Sequence, residues 1–147
     1  MTPSLLNITP ELSASVTART SEVEALLAAI THDFGPATFA NSLGAEDMVL
    51  TDLILKARLP IDIFSLDTGR LPPETYELMG AVEKHYGHKL MIFFPRADDV
   101  ETYVRNQGIN AFRDSVTLRK ACCAIRKVEP LQRALAGKRA WITGLRA

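Results

Sequence analysis

The chain has 147 residues, 47% of them apolar, and its seventeen basic and seventeen acidic side chains cancel. That length and apolar share suit one globular domain with a real core and exclude a disordered chain, and the balanced charge excludes a whole-chain field for nucleic acid. The N-terminus lacks a basic stretch followed by an apolar leader, and no apolar run reaches the roughly 20 residues of a membrane helix, so the cytoplasm is the expected compartment and neither nucleic acid nor a membrane is an expected partner.

Ser21-x-x-Glu24 forms a capping box, and Val23, Leu26, Leu27 and Ile30 follow at helical spacing, which predicts a first helix from Ser21 to about Asp33-Phe34-Gly35-Pro36. Thr38-Phe39-Ala40-Asn41 predicts a short buried strand. After the turn Ser42-Leu43-Gly44-Ala45, a second helix carries Leu50, Leu53, Ile54 and Ala57 on one face and stops before Pro60. Residues 61–66 read as the next strand. Pro72 and Pro73 open a third helix with Leu78, Ala81, Val82 and His85 as its stripe, ending at Tyr86-Gly87. Residues 89–94 form a third strand. A weaker helix over 99–107 leads to an irregular stretch, the cysteine segment, a short helix over 130–135 capped by Gly137, and a last strand over 140–143. This alternation predicts a single α/β domain over 1–147, a parallel sheet with helices on both faces and ligands at the carboxyl ends of its strands.

Three small polar turns should meet at that edge: Asn41 to Asp47, Leu66-Asp67-Thr68-Gly69-Arg70, and Thr143-Gly144-Leu145-Arg146. The first offers backbone N–H groups at a helix N-terminus, a place that favours an anion. It lacks the Gly-Lys-Ser/Thr of a Walker A loop and the Gly-x-Gly-x-x-Gly of a dinucleotide fingerprint. The only two cysteines, Cys122 and Cys123, are adjacent, flanked by Arg119, Lys120, Arg126 and Lys127. Consecutive Cα atoms lie about 3.8 Å apart, too close for an unstrained disulfide. Adjacent helical positions point about 100° apart, which suits two irons of one cluster, while zinc sites space their cysteines more widely. The cations would offset thiolate charge. Burial as small apolar residues is the other reading of the pair.

Together, the strings Ser42-Leu43-Gly44-Ala45-Glu46-Asp47-Met48-Val49, Phe64-Ser65-Leu66-Asp67-Thr68-Gly69-Arg70-Leu71 and Cys122-Cys123-Ala124-Ile125-Arg126-Lys127-Val128-Glu129-Pro130-Leu131 resemble the assimilatory sulfonucleotide reductases. Residues 141–146 are similar to the entry to that family's arginine-rich loop. The resemblance runs from about Phe34 to Arg146. It implies the fold of the adenine nucleotide α-hydrolases, with strand order 3-2-1-4-5, and reduction of adenylyl sulfate to sulfite and AMP with thioredoxin as reductant. The vicinal cysteines imply two of the four ligands of a 4Fe-4S cluster, and with it a preference for adenylyl sulfate over the 3′-phosphorylated nucleotide.

The same resemblance implies that Ser42, Leu43, Gly44, Ala45, Glu46 and Asp47 serve as the phosphate loop and that Leu66, Asp67, Thr68, Gly69, Arg70, Gly144 and Arg146 complete the substrate site. Lys127 would act electrostatically between cluster and phosphosulfate. Family members continue to further arginines, a second cysteine pair and a nucleophilic cysteine, so the chain is expected to be the N-terminal portion of a reductase, truncated at its C-terminus. A homo-oligomer is compatible with this reading. The alternatives are a phosphoadenylyl-sulfate reductase or a non-catalytic adenine-nucleotide-binding fragment. Trp141 is expected to pack on its strand rather than stack on a nucleotide.

Overall fold

A computed structural model describes residues 8–145. Helix α1 spans Pro10–Phe34 and starts well before Ser21. Thr9 is its N-cap, accepting from the Leu12 N–H at 3.2 Å, and Pro10 sits where a missing N–H costs nothing. Once that start is made, Ser21 and Glu24 are interior helical residues and cap nothing.

Strand β1 (Ala37–Ala40) leads to α2 (Ala45–Lys56), β2 (Ile61–Leu66), α3 (Pro73–Tyr86), β3 (Met91–Phe93) and α4 (Ala97–Gln107). The expected stripe on α3 is displaced. Met79 and Val82 are its buried residues, while Leu78, Ala81 and His85 are exposed, so the inward face carries the less hydrophobic Thr75 and Tyr86 at its margins. Ala57 likewise lies beyond the end of α2 and is exposed.

The stretch from 108 to 115 is irregular, as expected, apart from one 3-10 turn, and the cysteine segment after it is helical throughout. A 3-10 turn at Ala111–Arg113 precedes α5 (Val116–Cys123), a π-helical turn (Ala124–Val128) and α6 (Glu129–Leu135). Pro130 explains the widened turn: its ring crowds the carbonyl four residues back and it has no N–H to give. Accordingly the Glu129 N–H reaches the Ala124 carbonyl, one residue further than an α-helix would allow. Gly137, at φ +74, then turns the chain into β4 (Ala140–Ile142).

All three strand pairings are parallel, in the order β3-β2-β1-β4. The register places Ala37 beside Ile61 and Ala140, and Phe39 beside Ile63 and Ile142. These side chains share one sheet face and pack with Leu27, Leu53, Ile54, Met79 and Val82 from α1, α2 and α3. The opposite face carries Thr38, Ala40, Phe64 and Trp141. There α6 packs on β2 and β3, Pro130 is fully buried, and Arg133 lies over the Phe93 ring at 5.8 Å. Right-handed crossovers account for the two layers, because the path reverses direction across the sheet after β3. Both groups of helices therefore frame the strands' carboxyl edge. Among the described residues, no helix is long and apolar enough to cross a membrane.

Candidate functional site

At the carboxyl end of β1 the chain makes a tight hook. The Asp47 carboxylate, buried in the first turn of α2, accepts from the Ser42 N–H at 2.7 Å and the Ser42 hydroxyl at 2.6 Å. Asn41 accepts from the Leu43 N–H at 2.7 Å and donates to Thr51 at 2.9 Å, and Leu43 takes φ +66 to close the turn. Gly44 is the N-cap of α2 and makes no side-chain capping bond, so the N-terminus of α2 lies at the carboxyl end of β1 without a capping side chain.

The second loop is built in the same way. Asp67 is buried and accepts from the Gly69 N–H at 2.7 Å and from the Tyr76 hydroxyl at 3.0 Å. That bond to Asp67, together with burial, raises the Tyr76 hydroxyl above its ordinary pKa. Gly69 sits at φ +72. Arg70 turns away from the strand ends, donates to the Ile109 carbonyl, and stacks on Phe112 at 4.6 Å.

The third loop meets the first. A Cβ on Gly144 would collide with the Asp47 carboxylate and stand 3.3 Å from the Asp47 backbone nitrogen. Only glycine permits that approach.

Three recesses adjoin one another along this edge. The central one, about 340 Å³, is walled by Ser42 and Leu43, by Leu66 and Thr68, by Phe64, Met79 and Leu131, and by Trp141 and Lys127. To one side, about 500 Å³ lies between Ser42, Glu46, Asp47, Trp141 and Gly144. To the other, about 250 Å³ lies among Thr68, Arg70, Phe112, Arg119, Cys122, Cys123, Arg126 and Lys127. Ser42 and Trp141 are shared by the first two; Thr68 and Lys127 are shared by the central and the third. The result is one trough, mostly apolar in the middle and cationic at the cysteine end.

Most of the residues singled out in the sequence thus come together. Gly44, Ala45, Asp67 and Gly69 shape the loops and do not wall any of these recesses, and Arg146 lies outside the described residues. Trp141 departs from its expected packing role: it is 51% exposed and borders two recesses, on a strand that among the described residues pairs with β1 alone. In the sequence Arg126 is one of several cations flanking the cysteines. It is 8% exposed and donates from Nη1 to the Thr68 carbonyl at 2.8 Å. A basic residue four positions after Cys122, on one helical face with it, was the available signal.

Cys122 is buried and Cys123 half-buried, and neither is in a disulfide. Four cations and no carboxylate wall their recess, which suits an anionic cluster. Two thiolates are half of such a ligand set, and among the described residues no group of three or more His, Cys, Asp or Glu could hold a metal.

The family model for the phosphoadenosine phosphosulfate reductase domain matches residues 36–147. The chain belongs to that family. It is 55% identical over 122 residues to an adenosine 5′-phosphosulfate reductase of Allochromatium vinosum, covering 83% of this chain and 48% of that one. A protein of the same name from Burkholderia cepacia is 51% identical, covering 95% of this chain and 54% of its own length. The chloroplastic 5′-adenylylsulfate reductase 3 of Arabidopsis thaliana is 52% identical over 70% of this chain and 22% of that protein. The chain therefore spans about half the length of the bacterial relatives. Membership accounts for the parallel α/β sheet, and the 3-2-1-4 part of the implied strand order is present.

Proposed function

We propose that these residues form the nucleotide-binding half of a reductase that converts adenylyl sulfate to sulfite and AMP in sulfate assimilation, with thioredoxin as reductant, in the cytoplasm. The observation that carries this reading is the sharing of Thr68 and Lys127 by the central cleft and the cysteine recess. A nucleotide lying in the cleft would have its phosphosulfate at the Lys127 end. The apolar walls exclude water from the adenosine, and the first N–H groups of α2 would supply donors, the Ser42 N–H and hydroxyl being given to Asp47. Arg146 belongs to the same proposal through the family motif.

Cys122 and Cys123 would hold a 4Fe-4S cluster, completed by two ligands from outside these residues. When bound, the cluster would supply a compact negative centre beside the substrate. Lys127 stands between the two recesses and would offset the repulsion between that centre and the phosphosulfate. In the reaction, a cysteine thiolate from outside the 147 residues attacks the sulfate sulfur, the sulfur–oxygen bond to AMP breaks, and AMP leaves with that electron pair. One thiol of reduced thioredoxin then attacks the enzyme's cysteine sulfur, sulfite leaves with the electron pair of the broken sulfur–sulfur bond, and thioredoxin's second thiol resolves the mixed disulfide, which frees the enzyme's cysteine and leaves thioredoxin as its disulfide.

The test joins this chain to the remaining residues of the Allochromatium vinosum relative and assays sulfite release. Sulfite from adenylyl sulfate, in preference to its 3′-phosphorylated form, is the expected result, and Lys127→Ala lowers turnover while leaving bound iron unchanged. Preference for the 3′-phosphorylated nucleotide, the substrate named by the family description, overturns the substrate assignment. No sulfite from either overturns the class.

A further inference from the structure

Arg126 is a costly residue to place where it is. A guanidinium taken out of water loses hydration that only strong partners restore, and carboxylates are the usual ones. Among the described residues Arg126 enters no ion pair, and its partner is the main-chain carbonyl of Thr68, 58 residues away in sequence. The bond spans two elements. Arg126 lies in the π-helical turn just after the cysteines, and Thr68 lies at the turn of the loop that walls the central cleft.

Gly69 is fitted to this contact. A Cβ there would stand 3.1 Å from Arg126 Nη1, on a residue already at φ +72. On its other side the loop is held by Arg70, through Ile109, Asn110 and the Phe112 ring. The loop is therefore held at Thr68 and at Arg70 by two cationic side chains, both of which line the cysteine recess. The base of this contact is a single π turn inside a continuing helix, a form frequent at functional sites.

We propose that Arg126 is a positioning residue that ties the Leu66–Arg70 loop to the cysteine helix, so that nucleotide occupancy of the cleft is felt at Arg119–Cys123. This rests on the reading of the cleft as an adenine-nucleotide site. By linkage, whatever tightens the cysteine segment must tighten nucleotide binding by the same factor.

Hydrogen exchange of the full chain, with and without saturating AMP, reads the coupling directly, and calorimetry reads AMP binding separately. In the unsubstituted chain AMP slows exchange at least about fivefold both in residues 66–70 and in residues 119–123. Arg126→Met keeps the apolar length and removes the donors; at saturating AMP it retains protection of the loop and loses that of 119–123. Arg126→Lys keeps a donor and a charge, and retains more of the distant protection than Met does. Protection of 66–70 alone in the unsubstituted chain overturns the proposal without any variant having to fold. So does equal distant protection in Arg126→Met, which would mark direct contact by AMP. Absence of AMP binding by calorimetry overturns the reading of the cleft, and the coupling with it.

Discussion

Thr51 shows how much of the site rests on single buried polar atoms. It is wholly buried on α2, accepts from the Asn41 amide at 2.9 Å and donates to the Asp47 carbonyl at 2.8 Å. Asn41 in turn shapes the first loop, and its carbonyl accepts from Ser65 at 2.6 Å. Thr51→Val preserves volume but leaves the Asn41 donor without its partner, a loss of roughly 1–3 kcal/mol. Urea unfolding should show that loss as a lower midpoint with an unchanged slope. Asp52, one residue on, faces outward and makes a different prediction. The Lys56 ammonium at 2.7 Å holds its carboxyl below the ordinary range, and the Tyr86 hydroxyl at 2.9 Å acts in the same direction against desolvation. A lowered folded-state pKa gives stability that is present above the unfolded value of about 3.9 and is lost as pH falls through the folded value. Thermal melts between pH 6 and pH 2.5 should therefore fall more steeply for the unsubstituted chain than for Asp52→Asn, with the difference confined to the acid limb.

At the level of elements, the loops depend on one another through close approach. Gly144, after β4, touches Asp47 in α2, and Asp47 holds Ser42 in the first loop. Gly144→Ala should displace that carboxylate and weaken AMP binding by about tenfold, about 1.4 kcal/mol, with the melting temperature less affected than by Thr51→Val. Equal AMP affinity in calorimetry would mean that the first loop does not depend on this contact. The legibility of the elements followed the strength of local signals. The three loops that end β1, β2 and β4 were readable because small and polar residues there have few other reasons to follow an apolar strand. The start of α1 was misread because Ser21-x-x-Glu24 matches a cap locally, whereas the actual start depends on Thr9 and Pro10 upstream of it. The π turn was not readable at all: Pro130 signals a disturbance, but a helix start and a widened turn inside a continuing helix share that signal until the packing of α6 on β2 and β3 decides. For the same reason the sequence distinguishes Arg126 from the other cations flanking the cysteines by nothing local beyond its spacing from Cys122, since only the tertiary fold brings the Thr68 carbonyl to it.

The whole molecule places its chemistry on one edge. Among the described residues four parallel strands point the same way, and the trough along their carboxyl edge runs from Gly144 to the cysteines. Trp141 belongs to this scale: among the described residues β4 is an edge strand, and its half-exposed ring borders two parts of the trough. The central claim is that an adenine nucleotide occupies the middle of that trough. Titration of the isotopically labelled chain with AMP, followed by backbone amide NMR, tests it most directly. Affinity on the order of 0.1–1 mM corresponds to about 4–5.5 kcal/mol and suits a site walled by these residues alone. The account predicts saturable shifts concentrated at Ser42–Gly44, Leu66–Gly69 and Gly144, with a smaller response at Lys127. Shifts that do not saturate, or that cluster at the amino ends of the strands around Ala37, Ile61 and Ala140, would contradict it.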